Sequence, residues 1–218
     1  IIGDYAFIYC DKLISIVIPD SVTEIGAYAF HCCDNLTSVV ISEGVTTVGE
    51  WAFASCYNLT NVEIGDSVIT IGNFAFRDCD NLTSIVIPDN VTTIGNSAFA
   101  YCNNLTSVVI SEGVTTIGEW AFANCDSLTS VEIGDSVTTI GASAFENCSS
   151  LSSVVLPDGL KSIGSNAFEN CTFLREIVIS EGVEIIGRRA FYGCEEVVIY
   201  CEYGSYAAQY AQENSIDY

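Results

Sequence analysis

Histidine, basic residues and methionine are nearly or wholly missing from this 218-residue chain, and each shortage closes off a class of function. The single histidine, His31, has no serine or cysteine partner that stands apart from those on neighbouring repeats. No phosphate-binding loop, nucleophile elbow, zinc-protease helix or dinucleotide fingerprint is present. The chain therefore reads as non-enzymatic and without a cofactor. Six Lys and Arg stand against 28 Asp and Glu, a formal net charge of −22. Nucleic acids and anionic membranes are held by clustered cations, so neither is an expected partner. No run of 18 apolar residues exists, so no membrane-spanning helix is expected, and no basic-then-apolar leader opens the chain. With no methionine and a start at Ile1-Ile2-Gly3, partway through a repeat, the sequence reads as a piece whose natural N-terminus and targeting signal lie upstream. No Cys-x-x-Cys pair occurs, which removes the usual zinc spacing.

What the chain does contain is one motif, repeated. Half of the residues are hydrophobic, enough for a continuous core. Glycine recurs from Gly3 and Gly26 through to Gly187, phenylalanine four residues later from Phe7 to Phe191, and cysteine three after that from Cys10 to Cys194. All three series step by 23. Leu36, Val39 and Ile41 follow an L-x-x-L-x-L spacing, and the last two share one face of a strand. Punctuation-rich turns such as Pro19-Asp20 and Ser42-Glu43 end each strand. The Gly-x-x-Ala-Phe-x-x-Cys stretch is expected to form a short helical turn with Ala and Phe inward. One such unit cannot bury its apolar face alone, whereas stacked units can. The expected fold is an α/β leucine-rich-repeat solenoid: a right-handed superhelix with a continuous parallel β-sheet on the concave side and short helical turns on the convex side. A capping helix is expected at the C-terminus. Residues 1–194 make nine 23-residue units, the first truncated at its start. In the cap, residues 195–218, a shortened strand precedes a helix that Ser205 can cap, with Tyr206, Ala207, Tyr210 and Ala211 at helical spacing.

In each long strand the residue between the two inward positions must face solvent. Down the stack these are Val17, Val40, Glu63, Val86, Val109, Glu132, Val155 and Val178. This valine stripe, broken by carboxylates, is the candidate partner-binding face for a protein ligand. The alternative is that valine simply favours strands. The turn carboxylates Asp20, Glu43, Asp66, Asp89, Glu112, Asp135, Asp158 and Glu181 form an acidic seam. It is read as solvated and not as a calcium ladder, because no glycine-aspartate nonapeptide signature accompanies it. The nine ladder cysteines are expected to be buried free thiols, since their parallel Cβ vectors suit disulfides poorly. Cys32 and Cys201 lie outside the ladder and could be reactive. Tyr28, Trp51, Phe74 and Trp120, before the Ala-Phe pair, are either half-exposed contact residues or packing between convex turns.

The unit Ile-Gly-x-x-Ala-Phe-x-x-Cys-x-x-Leu-x-x-Val-x-Ile-Pro resembles the BspA-like leucine-rich-repeat family over the whole chain. The tail Gly204-Ser205-Tyr206-Ala207-Ala208-Gln209-Tyr210-Ala211 is similar to the family's ending. The resemblance implies a secreted or cell-surface protein, bacterial rather than protist, serving adhesion or host and cell interaction. Its other reading is a structural spacer that displays another domain of a larger surface protein.

Overall fold

The computed structural model describes all 218 residues as a solenoid of parallel strands. It runs for about eight coils, each a strand of four residues (three in Ser153–Val155) followed by a two-residue strand, with one more long strand at the end. Corresponding residues pair directly: Ser15 with Ser38 and Ile18 with Ile41, Ser107 with Ser130 and Ile110 with Ile133. Parallel pairing at a fixed 23-residue offset puts like on like, so each inward residue meets its own equivalents above and below. The core is a single stack of Ile, Leu, Val, Ala, Phe and Cys that runs the length of the molecule.

Two features differ from the sequence expectation. First, the long strands do not form one sheet. They divide into groups of three, four and two, with breaks between Asn61–Ile64 and Ser84–Ile87 and between Ser153–Val155 and Glu176–Ile179. On other coils the residue after the strand donates its N–H to the coil before, as Ser42 does to Ile18 and Gly65 to Ile41. Pro88 has no N–H to give at the first break. Pro157 cuts the strand before the second break to three residues. The unbroken sheet is the other one, made of eight two-residue strands from Glu24–Ile25 to Ile185–Ile186.

Second, the Gly-x-x-Ala-Phe-x-x-Cys segments are not helical. The one helix in the protein is Tyr206–Glu213, so the chain is a strand-and-turn solenoid and the expected α/β character is corrected. The backbone bonding gives the reason. Ala52 and Ala54 donate back three residues, to Gly49 and Trp51, while Trp51, Phe53 and Ser55 donate forward to Asn73, Ala75 and Arg77 on the next coil. With alternate N–H groups spent between coils, no i to i−4 ladder can form. Each segment also holds two left-handed residues, such as Trp51 (φ 57°) and Ser55 (φ 57°), which a right-handed helix excludes.

The ladder glycines are fixed by close approach. A Cβ on Gly95 would lie 2.5 Å from the carbonyl carbon of Gly72 and 2.7 Å from the amide of Asn73. Gly95→Ala must therefore push two coils apart, at a cost of about 1–3 kcal/mol or more. Gly3→Ala, whose Cβ meets nothing, should stay within about 0.5 kcal/mol. Urea midpoints of the two variants measure the contrast, and equal midpoints would remove close approach as the reason for glycine.

At the C-terminal end Ser205 accepts a hydrogen bond from the Ala208 amide at 3.2 Å. Ala207, Ala208, Tyr210 and Ala211 are buried against the last coil. After the helix the chain returns to the strand Val198–Cys201, where the Ile199 amide donates to the Asp217 carbonyl at 2.8 Å. The final strand edge is thus partly covered.

Candidate functional site

The strand face presents the residues that the spacing selects. Val17, Val86, Val155 and Val178 are 65, 58, 73 and 65% exposed, and Glu63 and Glu132 are exposed as well. Val40 and Val109 point the same way but are half-buried. Alternation in a strand forces this arrangement, because Ile85 and Ile87 face the core on either side of Val86. The first sheet break opens a hollow of about 420 Å³ beside this column, lined by Glu63, Asp66, Val86 and Asp89 among others. The acidic seam lies along the adjoining turns. Two of its members also tie coils together: Glu43 accepts from the Ser67 amide at 3.2 Å and Glu112 from the Asp135 amide at 2.8 Å.

The cysteine ladder lies inside. Cys33 through Cys194 are buried. Each thiol donates to the carbonyl of the phenylalanine 26 residues earlier, as Cys56 does to Phe30 at 3.2 Å and Cys125 to Phe99 at 3.2 Å. The ladder thiols are free, as the spacing predicts, with Cys10 half-buried at the exposed end, and the carbonyl bond adds to that reading. Burial pushes the Cys148 thiol up to about 12 and raises Cys79, Cys102 and Cys125 as well. Outside the ladder, Cys32 lies 3.2 Å from the His31 Nε2. Burial also raises its pKa, which lowers its thiolate fraction. Cys201 is half-buried in the last strand.

On the turn face the aromatic residues stack. Tyr5, Tyr28, Trp51 and Phe74 form a row with ring centroids 5.1, 5.8 and 4.3 Å apart and planes within 14° of parallel. His31 meets Tyr28 and Trp51 edge-on. Trp120 stands apart from the row, 46% exposed. Tyr28, Trp51 and Phe74 therefore pack between coils, and Trp120 does not. All four hold left-handed backbone, costing about 1 kcal/mol each, which ring stacking of similar size offsets within the row.

No curated protein sequence matches this chain. Among solved structures it is similar to a leucine-rich repeat protein from Bacteroides ovatus, at 28% identity and TM-score 0.77, over 92% of this chain and 59% of that one. A leucine-rich repeat protein of T. pallidum is 28% identical over 85% of this chain and 78% of its own, with TM-score 0.63. A leucine rich cell surface protein from Faecalibacterium prausnitzii is 30% identical over 99% of this chain and 71% of its own, with TM-score 0.52. The chain thus spans about three fifths of the Bacteroides protein's resolved length. The model of the BspA type leucine rich repeat region matches residues 1–103 and 93–203, in six copies. With the 23-residue coil, its inward Phe and Cys columns and these matches together, the chain belongs to the BspA-type leucine-rich-repeat family.

Proposed function

We propose that this chain is a non-enzymatic binding module of a bacterial cell-surface or secreted protein, and that it docks a protein partner on its strand face. The observation that carries the reading is the column of outward valines, four of them more than half exposed, in register down the molecule. An ordered apolar stripe of this kind favours an interaction surface. Glu63, Glu132 and the seam carboxylates surround it, and the whole chain is strongly acidic. The matching partner has an apolar centre and a basic rim. Surface placement is supported by the similarity to the Faecalibacterium cell surface protein. No helix in the structure is long and apolar enough to cross a membrane.

Surface plasmon resonance against a panel of purified extracellular-matrix proteins tests the reading. Binding should weaken as salt rises from low to physiological strength. Val86→Lys combined with Val155→Lys should reduce affinity at least about tenfold by placing charge within the stripe. Both side chains already face water, so the urea midpoint should hold. Binding that ignores the double variant would exclude the strand face. A chain that binds nothing in the panel would favour the spacer role.

A further inference from the structure

The turn-face row of rings is interrupted once in a way that leaves a slot. The first left-handed position of successive coils reads Tyr5, Tyr28, Trp51, Phe74, Ser97, Trp120, Ser143, Asn166 and Arg189. At Ser97 alone does a small residue sit between two rings. Phe74 forms one wall and Trp120 the other, and buried Ser97 and Ala100 line the space between them, in a hollow of about 390 Å³. The neighbouring buried Phe76, Phe99 and Phe122 step by 5.2 and 5.4 Å, which sets the coil spacing here. The space between Phe74 and Trp120 therefore spans two coil steps, room for one planar ring in the register the row itself uses.

The polar groups at the mouth are donors. Arg77 lies with its guanidinium 4.6 Å from the Tyr101 ring centroid and 5.9 Å from that of Phe74. Its Nε is engaged by the Asp78 carboxylate at 3.3 Å, and its two terminal nitrogens have no protein partner. Asn73 Oδ1 accepts the Asn96 amide and Asn96 Oδ1 accepts the Glu119 amide. A backbone N–H can meet only the oxygen of a side-chain amide, which fixes both orientations and leaves both NH₂ groups free to donate. Two aromatic walls with a few convergent donors are the lining of a small-ligand site. From this the geometry points to a binding site for a small planar aromatic carboxylic acid: the ring completes the row between Phe74 and Trp120, and the carboxylate meets Arg77 and the asparagine amides. This site shares no lining residue with the hollow on the strand face and is independent of it.

The protein carries two tryptophans, so Trp51→Phe leaves Trp120, one wall of the slot, as the sole indole reporter. In that background, titration with 4-hydroxyphenylacetate should give a saturable change in indole emission, half-complete on the order of 1 mM. Tyramine, the same ring with a cationic tail, should bind at least about fivefold more weakly, although the net charge of −22 would draw it in if the overall field decided the matter. Arg77→Gln should remove most of that preference. Ser97→Tyr should fill the slot and abolish the response to both compounds. Tyr28 already occupies the equivalent left-handed position, so this variant should keep its far-UV spectrum and urea midpoint. Absence of a saturable change, tyramine binding as tight as the acid, or binding that survives Ser97→Tyr overturns the assignment.

Discussion

Raising the pH from 8 to 10 should destabilise this protein, by roughly 1 kcal/mol through the Cys148 thiol alone and further in the same direction through three other buried thiols. Four ladder thiols, Cys79, Cys102, Cys125 and Cys148, are fully buried. Burial raises their pKa, to about 12 for Cys148, with an amide beside the sulfur offsetting only part of it. In the unfolded chain a thiol titrates near 9. Below that value both states keep the proton, and ionisation takes nothing from stability. Above it the unfolded thiols ionise while the folded ones keep their protons, so stability falls with pH until the folded thiols also titrate, near 12 for Cys148. For Cys148, one pH unit above 9, this amounts to roughly 1 kcal/mol. Chemical denaturation at pH 7, 8, 9 and 10 under reducing conditions measures the slope. Replacing Cys102 and Cys125 by Ala should reduce the loss between pH 8 and 10. A slope that ignores the double variant would place the alkaline sensitivity elsewhere.

Phe99→Ala should cost about 3–5 kcal/mol at neutral pH. The Phe99 ring is wholly buried and stacks on Phe76 at 5.2 Å and Phe122 at 5.4 Å, near the middle of a column that runs from Phe7 to Phe191. The column closes on the edge of Tyr210, 6.1 Å away in the capping helix. Removing one ring leaves a gap that rigid coils above and below cannot close, because their backbones are hydrogen-bonded at fixed spacing. Phe7, in the first coil and 41% exposed, provides the comparison, and Phe7→Ala should cost about 1 kcal/mol. Since coils depend on their neighbours, the Phe99 variant should still unfold in one transition with a lower urea midpoint. Equal midpoints for the two variants would mean that the stacked column contributes little.

The parts of this structure that could be read from the sequence are those a strict 23-residue step determines. Once Phe, Cys and Gly recur in register, their equivalents must superpose, so the inward columns and the outward valines follow from alternation alone. The conformation of the Gly-x-x-Ala-Phe-x-x-Cys segment did not follow. Its apolar spacing is compatible with a helix, and what forbids one is bonding to a coil 23 residues away together with left-handed residues as unlike as Trp51, Phe74 and Ser97. The sheet break beside Glu63 and Val86 was equally hidden. Pro88 lacks an N–H there, yet Pro157 at the equivalent turn leaves its strand paired with Ser130–Ile133, so proline position alone does not mark a break. The thiol-to-carbonyl bond leaves no trace in composition. The slot at Ser97 had a visible signal, the one small residue that stands between two aromatic residues, Phe74 and Trp120, in that series. Arg77, Asn73 and Asn96 could be placed at its mouth only from coordinates.

Bonding between coils, through the long strands, the short strands and the turns, also decides how the molecule meets force. Pulled by its two ends, the solenoid bears load on the bonds of the outermost coil first, and the coils inside stay shielded until that one gives way. Each coil that peels off releases 23 residues, roughly 80 Å of extended chain, and the next one then faces the same load. Stretched between two surfaces, the protein should therefore lengthen in equal steps of about that size while the inner coils stay folded, as a line paid out under strain.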